Sequence, residues 1–116
     1  HSGNLAVLLA DASAITQTIP INNGGCYYRL SFFAQGEGSQ VGFTATVTFN
    51  TTVGDVEGGT MVVRQQDLTN SNRAWTYFQL ITTQAPANAT GITISILADT
   101  EADQNLILDD ISLTAN

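Results

Sequence analysis

The chain has 116 residues, of which 43% are hydrophobic and 11% are charged. This length suits one domain, spanning residues 1–116, whose core needs no disulfide. The single cysteine, Cys26, excludes an intrachain disulfide and a multi-cysteine zinc site. The formal net charge is -7, with arginine as the only basic side chain besides one histidine. Nucleic acid and anionic membrane surfaces are therefore excluded as partners, because both bind through a basic surface.

The composition also indicates where the protein works. No apolar run approaches the roughly 18 residues that a membrane-spanning helix needs, so no membrane association is expected. Lysine is absent, Thr, Asn, Gln and Gly are frequent, and Asn-x-Thr sequons stand at Asn50 and Asn88. These features are typical of an extracellular protein or one at a cell or spore surface.

Alternation of apolar and polar residues predicts an all-β protein with about eight strands. The clearest segment is 43–49, where Phe43, Ala45, Val47 and Phe49 share one face and threonines line the other. In chain order the predicted strands are 5–9, 15–21, 28–34, 43–49, 60–64, 75–82, 91–96 and 106–113.

Turn-forming residues separate these strands at 22–25, 35–38, 54–59, 70–72 and 99–105. No segment keeps apolar residues at helical spacing for three turns. Short strands at nearly regular spacing favour an antiparallel two-sheet β-sandwich or jelly roll, with an up-and-down barrel as the alternative.

Several motifs occur in an order that points to a known family. A His-Ser-Gly segment begins at His1, a strand with a central glutamine contains Gln17, and G-C-Y-Y-R-L-S-F begins at Gly25. W-T-Y-F begins at Trp75, and L-D-D-I-S-L begins at Leu108. Together they resemble the carbohydrate-binding modules of the family 4/9/22 type, which are galactose-binding-like jelly rolls. Similar domains occur in bacterial spore-surface and cell-surface proteins, so the resemblance implies either glycan binding or a structural role.

The chain departs from this family at its start. The resemblance implies a first strand with an Asn-Gly-Gly-Phe-Glu-like sequence upstream of the His-Ser-Gly segment, and this sequence begins at His1 without it. Three explanations are open: the fold has lost that strand, the polypeptide is trimmed, or a neighbouring chain supplies the strand. The third explanation predicts self-association, because a missing strand leaves unpaired backbone groups beside apolar side chains. The alternative function is therefore a structural subunit of an extracellular fibre or surface layer, assembled by strand complementation.

Asp109 is the candidate metal ligand. It shares strand parity with Ile107 and Ile111, so it is expected to point toward the core, where a carboxylate needs a cation or hydrogen-bond donors. The resemblance implies a structural calcium held by the Asp109 carboxylate and by backbone carbonyls of the Ser2 to Asn4 loop. The alternative is that Asp109 accepts hydrogen bonds from backbone N–H groups or pairs with an arginine.

The sequence does not predict an enzyme. Asp109 and Asp110 are neighbours on a strand, so they project to opposite faces and cannot flank one bond as an acid and base. The only histidine is His1, no Gly-x-Ser-x-Gly elbow is present, and the glycine-rich turns precede no helix.

Glycan recognition requires aromatic faces that pack on sugar rings and planar polar groups that pair with hydroxyls. Two predicted strands carry both kinds of side chain on one face. If the two strands are neighbours in one sheet, these side chains would line a shallow groove. The candidate ligand-binding residues are Tyr27, Arg29, Phe33, Trp75, Tyr77 and Gln79.

Two alternatives qualify this site, and one further polar residue is expected to be structural. Trp75 also suits the sandwich core. Binding at loop tips would instead use Glu37, Asp55, Glu57 and Asn72. Gln17 shares parity with the isoleucines on either side of it, so its amide is expected to be buried and bonded to the backbone of a neighbouring strand.

Overall fold

The computed structural model describes residues 6–22, 24–38, 40–65, 68, 75–101 and 103–115. Eight strands are present in this part of the chain, which contains no helix that could span a membrane. The strands are β1 (Ala6–Leu9), β2 (Ala14–Pro20), β3 (Tyr28–Glu37), β4 (Val41–Thr51), β5 (Gly54–Val63), β6 (Thr76–Ile81), β7 (Ala89–Thr100) and β8 (Asn105–Ala115).

The strands form two four-stranded sheets packed as a sandwich. The first sheet has the order β1-β8-β3-β6, the second has the order β2-β7-β4-β5, and every pairing is antiparallel. The predicted all-β sandwich is therefore confirmed, and the barrel alternative is excluded because the two sheets are separate.

Strand β4 shows the predicted alternation most clearly. Phe43 and Phe49 are fully buried, whereas Thr44, Thr46 and Thr48 are half-buried on the outer face of the second sheet. β7, which pairs with β4, and β2, which lies beyond β7, extend that polar face, where the Thr18 and Thr93 hydroxyls are 2.9 Å apart. Apolar burial on one side of each strand therefore sets the orientation of the whole sheet.

The core is aromatic where β3, β4 and β6 meet. The Phe32 ring lies 5.4 Å from the Phe43 ring and 5.8 Å from the Phe78 ring, measured between centroids. Phe43 and Phe78 meet edge to face at 5.1 Å. Burying a side chain of this kind stabilises a fold by about 1.5–3 kcal/mol, so this cluster anchors the centre of the sandwich.

The segment 54–59 was predicted to be a turn, and that prediction is wrong. It forms the first half of β5, which follows β4 after a short turn at Thr52 and Val53. Gly58 occupies a register shift between β4 and β5, and a Cβ there would lie 2.7 Å from the Phe49 ring. The glycine is thus needed for close packing inside a strand. Turn propensity does not distinguish such a glycine from one in a turn.

Two other predicted turns are shorter than expected. β3 continues to Glu37, so the turn falls at Gly38, whose φ of 128° suits glycine. β7 continues to Thr100, and β8 begins at Asn105. Strand pairing extends these elements because a neighbouring strand satisfies backbone groups that an isolated turn sequence would leave to water.

Strand β8 contains a bulge that changes which side chains face the core. Ser112 pairs with Ser31, but Asp109 pairs with Phe33, so β8 has one residue more than β3 over this interval. Asp109 therefore lies on the outer face with Phe33, while Ile111 packs against the core. Asp109 is buried as predicted, at 4% exposed, but it lies on the other face of the sheet because uniform alternation does not continue through a bulge.

Burial decreases at the side of the sandwich formed by β1 and β2. Ile15 and Ile19 of β2 face the opposing sheet but are only half-buried, and Gln17 between them is exposed. The prediction of a buried Gln17 amide is therefore wrong. Its position faces inward as expected, but the described part of the opposite sheet does not cover it.

Candidate functional site

The two strands that carry the candidate ligand-binding residues are neighbours in the first sheet. Phe33 is paired with Tyr77, Ser31 with Gln79, and Arg29 with Ile81. Paired residues of antiparallel strands project from the same side of the sheet. We call this surface the β3–β6 face; its residues are Arg29, Ser31, Phe33, Gln35, Tyr77, Gln79 and Ile81.

An aromatic pair occupies the middle of the β3–β6 face. The Phe33 and Tyr77 rings are 5.1 Å apart between centroids and are tilted by 56°. Tyr77 is 50% exposed, and Phe33 is half-buried. The Tyr77 hydroxyl donates a hydrogen bond to Gln79 Oε1 over 3.4 Å. An apolar surface and an oriented amide thus lie side by side.

Arg29 and Tyr27 extend this surface toward the beginning of β3. Arg29 lies four residues before Phe33 in the same strand, about 13 Å away at 3.3–3.4 Å per residue. Its neighbour across the sheet, Ile81, is 49% exposed. Tyr27 immediately precedes β3 and is 47% exposed. Aromatic and cationic groups are therefore available beyond the central pair.

Trp75 lies at the opposite end of β6. It immediately precedes the strand and is half-buried. The neighbouring inward residues of β6 are Phe78 and Leu80, which pack against the core. Trp75 has the same parity in sequence as Tyr77 and would continue the row of outward side chains.

Strand β8 adds residues to this surface that the sequence did not reveal. Ser112 lies beside Ser31, and Asp109 lies beside Phe33, where it is only 4% exposed. Ile81 and Gln35 could have been found from parity with Tyr77 and Phe33. Asp109 could not, because its orientation depends on the bulge.

The described residues do not by themselves form the predicted calcium site. The Asp109 Oδ1 atom accepts a hydrogen bond from the Asp110 N–H at 2.8 Å. No group of three or more His, Cys, Asp or Glu side chains that could hold a metal occurs in the described ranges. Calcium takes six to eight oxygen ligands, and the other predicted ligands, Ser2 and Asn4, lie outside the described residues. Calcium therefore stays a prediction.

The loop-tip alternative has less support in the fold. Asp55 and Glu57 are exposed residues of β5, and Asp55 accepts a hydrogen bond from Asn50 at 3.3 Å. Glu37 ends β3 and accepts a hydrogen bond from Asn105 at 2.7 Å. Glu57 lies within a paired strand, Glu37 and Asp55 lie on paired strands beside turns, and Asn72 lies outside the described residues, so the loop-tip alternative stays a prediction.

Comparison with known proteins identifies the fold. No protein-family model and no curated protein matches this chain. A solved structure of a CBM61 module in complex with β-1,4-galactotriose is 17% identical, with a TM-score of 0.69 over 100% of this chain and 74% of that chain. A CBM4 structure is 17% identical, with a TM-score of 0.63 over 96% of this chain and 82% of that chain.

The same fold also occurs inside a much larger protein. The enzymatically active domain of tailspike protein 4 from Bacteriophage CBA120 is 16% identical, with a TM-score of 0.64 over 89% of this chain. This chain spans only 14% of that protein's length. At these identities the similarities establish the architecture, which is the jelly roll of carbohydrate-binding modules.

Proposed function

We propose that this chain, a jelly roll of the carbohydrate-binding-module type, is an extracellular, non-catalytic module that binds a glycan on the β3–β6 face. The observation that carries this proposal is the Phe33–Tyr77 pair, with ring centroids 5.1 Å apart on an exposed sheet surface. The half-exposed Tyr77 ring offers a flat apolar face that matches the C–H face of a pyranose ring, and the half-buried Phe33 ring beside it adds apolar surface.

The polar groups around the aromatic pair support a carbohydrate over a purely apolar ligand. Gln79, Ser31 and Gln35 can each donate and accept hydrogen bonds, which is the capacity that sugar hydroxyls require. Arg29 adds planar donors at one end. The outward row from Gln35 to Arg29 covers about 20 Å at 3.3–3.4 Å per residue, so an extended oligosaccharide would contact several of these side chains at once.

The carbohydrate-binding modules among the structural neighbours favour binding over catalysis. One of these modules was solved with β-1,4-galactotriose. This likeness supports a polysaccharide partner and a location outside the cell or at its surface.

Affinity electrophoresis in gels containing β-1,4-galactan, xylan or β-glucan tests the proposal. We expect at least one polysaccharide to retard the chain, with retardation lost on replacement of Phe33 or Tyr77. Leu97→Ala is the matched control, because Leu97 is 43% exposed on the other sheet. The proposal is overturned when no polysaccharide retards the chain, or when Leu97→Ala abolishes retardation as fully as Tyr77→Ala does.

A second candidate function is a structural subunit of a fibre or surface layer. The observation that favours it is the incompletely covered side of the sandwich at β1 and β2. Light scattering after size-exclusion chromatography tests this candidate: a subunit forms concentration-dependent assemblies, and a monomer at all concentrations excludes it.

A further inference from the structure

Arg29 is the one basic side chain of the β3–β6 face, and its neighbours in the sheet are uncharged. It pairs with Ile81 of β6 on one side and with Thr114 of β8 on the other, and both of these residues are exposed. Tyr27 and Ser31 lie two residues away from it along the chain. The half-buried Arg29 side chain therefore lies among apolar and hydroxyl groups.

The Arg29 guanidinium forms no hydrogen bond and no ion pair with the described residues. The chain has 10 acidic side chains, and all of them except Asp67 belong to the described ranges. Leu68, which follows Asp67 in sequence, lies against Gly36, about 23 Å from Arg29 at 3.3 Å per residue of β3. Acidic residues thus outnumber arginines by 10 to 3, yet the described part of the chain supplies no counter-ion for Arg29.

We propose that Arg29 binds a carboxylate of the glycan, so that the ligand of the β3–β6 face is a polysaccharide that contains uronic acid residues. This inference rests on the proposed glycan binding and names its substrate class. A guanidinium is a planar fork of N–H donors, which a carboxylate matches with two parallel hydrogen bonds. The hydroxyls of a neutral sugar carry no charge, so they use this fork less fully.

The distance between Arg29 and the aromatic pair assigns the two contacts to different sugars. Arg29 precedes Phe33 by four residues, which is about 13 Å along β3. This distance exceeds the length of one sugar ring, so the ring stacked on Tyr77 and the uronic acid at Arg29 occupy different positions in the polysaccharide. Ser31 and its partner in β8, Ser112, offer hydroxyls to the sugar between them.

The negative charge of the chain limits how many carboxylates the polysaccharide carries. The formal net charge is -7, and an acidic residue, Asp109, lies beside Phe33 on this surface. Like charges repel one another over a Debye length of about 8 Å at physiological ionic strength. A polyuronate would bring a carboxylate to every part of the face, whereas a neutral backbone with isolated uronic acids brings one to Arg29 alone. The expected ligand is therefore sparsely charged.

Reduction of the carboxyl groups of the polysaccharide tests the proposal on the unaltered protein. The probe is glucuronoxylan, and its control is the same polymer after its carboxylates have been converted to primary alcohols. In affinity electrophoresis the native polymer should bind about tenfold more tightly than the reduced polymer, which is the ratio expected from charge-assisted hydrogen bonds to one carboxylate. Polygalacturonate, with a carboxylate on every sugar, should bind more weakly than glucuronoxylan.

Variants of the full chain locate the contact. The quantity compared is the ratio of the affinities for native and reduced glucuronoxylan, which should fall from about tenfold to near one in Arg29→Gln. Arg29→Lys keeps the charge without the planar fork and should retain part of the ratio. Arg64→Gln is the matched control, because it removes the same charge from an exposed position that follows β5 in the other sheet. It should leave the ratio unchanged.

Three results overturn the proposal while leaving glycan binding intact. The first is equal retardation of the wild-type chain by native and reduced glucuronoxylan, a comparison that requires no variant to fold. The second is an equal fall of the ratio in Arg29→Gln and Arg64→Gln, which would assign the effect to overall charge. The third is tighter binding of polygalacturonate than of glucuronoxylan. Retardation by neither form of glucuronoxylan also overturns it, and retardation by no polysaccharide at all is the separate failure of the proposed function.

Discussion

The backbone N–H of Asp110 donates a hydrogen bond to the Oδ1 atom of Asp109 over 2.8 Å. The two adjacent aspartates are thus joined at the bulge that separates the two halves of β8. Asp110 has a φ of 53°, in the left-handed region that aspartate tolerates and β-branched residues do not. Before the bulge Asp109 lies on the outer face, and after it Ile111 contacts the core. The bulge therefore decides which β8 side chains face each side of the sheet.

A substitution at Asp110 tests this conformation. Asp110→Val should reduce the free energy of unfolding by about 1–2 kcal/mol, because a β-branched side chain is strained at positive φ. Asp110→Asn should change it by less than about 0.5 kcal/mol. Urea denaturation of both variants measures the difference. Ser112→Val, two residues later in β8, is the control and should not destabilise the protein; an equal loss there would contradict the assigned cause.

Two leucines of β8 give a matched test of how burial decreases toward the β1 and β2 side of the sandwich. Leu108 is fully buried, whereas Leu113 is half-buried. Leu108→Ala should reduce the free energy of unfolding by about 2–5 kcal/mol, the usual cost of a core cavity. Leu113→Ala should cost about 1 kcal/mol, because part of its surface is already in water. Equal costs in urea denaturation would contradict the partial burial of Leu113.

Glycan binding should depend on the central aromatic pair. For a polysaccharide that retards the wild-type chain, Tyr77→Ala and Phe33→Ala should each weaken binding about tenfold, or about 1.4 kcal/mol. Gln79→Ala should weaken it less, because a net hydrogen bond contributes about 0.5–1.5 kcal/mol. Titration calorimetry with the matching oligosaccharide measures all three. Stronger dependence on Gln79 than on both aromatic residues would contradict the proposed stacking.

Stability at high pH should depend on Tyr28. Burial, and secondarily the charge of Cys26, raise the pKa of the Tyr28 hydroxyl above its usual value of about 10. The folded state therefore binds this proton more tightly than the unfolded state does. The resulting stabilisation is present below the unfolded pKa and is lost as pH rises toward the folded pKa.

The Tyr28→Phe variant tests that dependence. Between about pH 9 and pH 11, on either side of the usual tyrosine pKa, the wild type should lose more stability than Tyr28→Phe. Cys26→Ser should retain most of the loss, since burial is the main cause. Denaturation midpoints at each pH provide the measurement, and parallel curves for wild type and Tyr28→Phe would refute the assignment.

The amino-acid sequence determined the all-β class, most of the strands and several residues of the β3–β6 face, and it favoured a sandwich over a barrel. Segment 43–49 alternates apolar and polar residues so regularly that only an extended strand with one buried face fits it. Phe33, Tyr77 and Gln79 could be assigned to an outward surface for the same reason, since parity along a strand is a local property.

Tertiary structure alone decided how these strands meet. The pairing of Phe33 with Tyr77 depends on β3 and β6 being neighbours, which no local pattern specifies. The outward position of Asp109 depends on a bulge, and the place of Gly58 within β5 depends on the Phe49 ring above it. The exposure of Gln17 depends on how far the described part of the opposite sheet reaches over β2, which parity along one strand does not report. Each is a relation between distant segments, whereas alternation reports only the two sides of one strand.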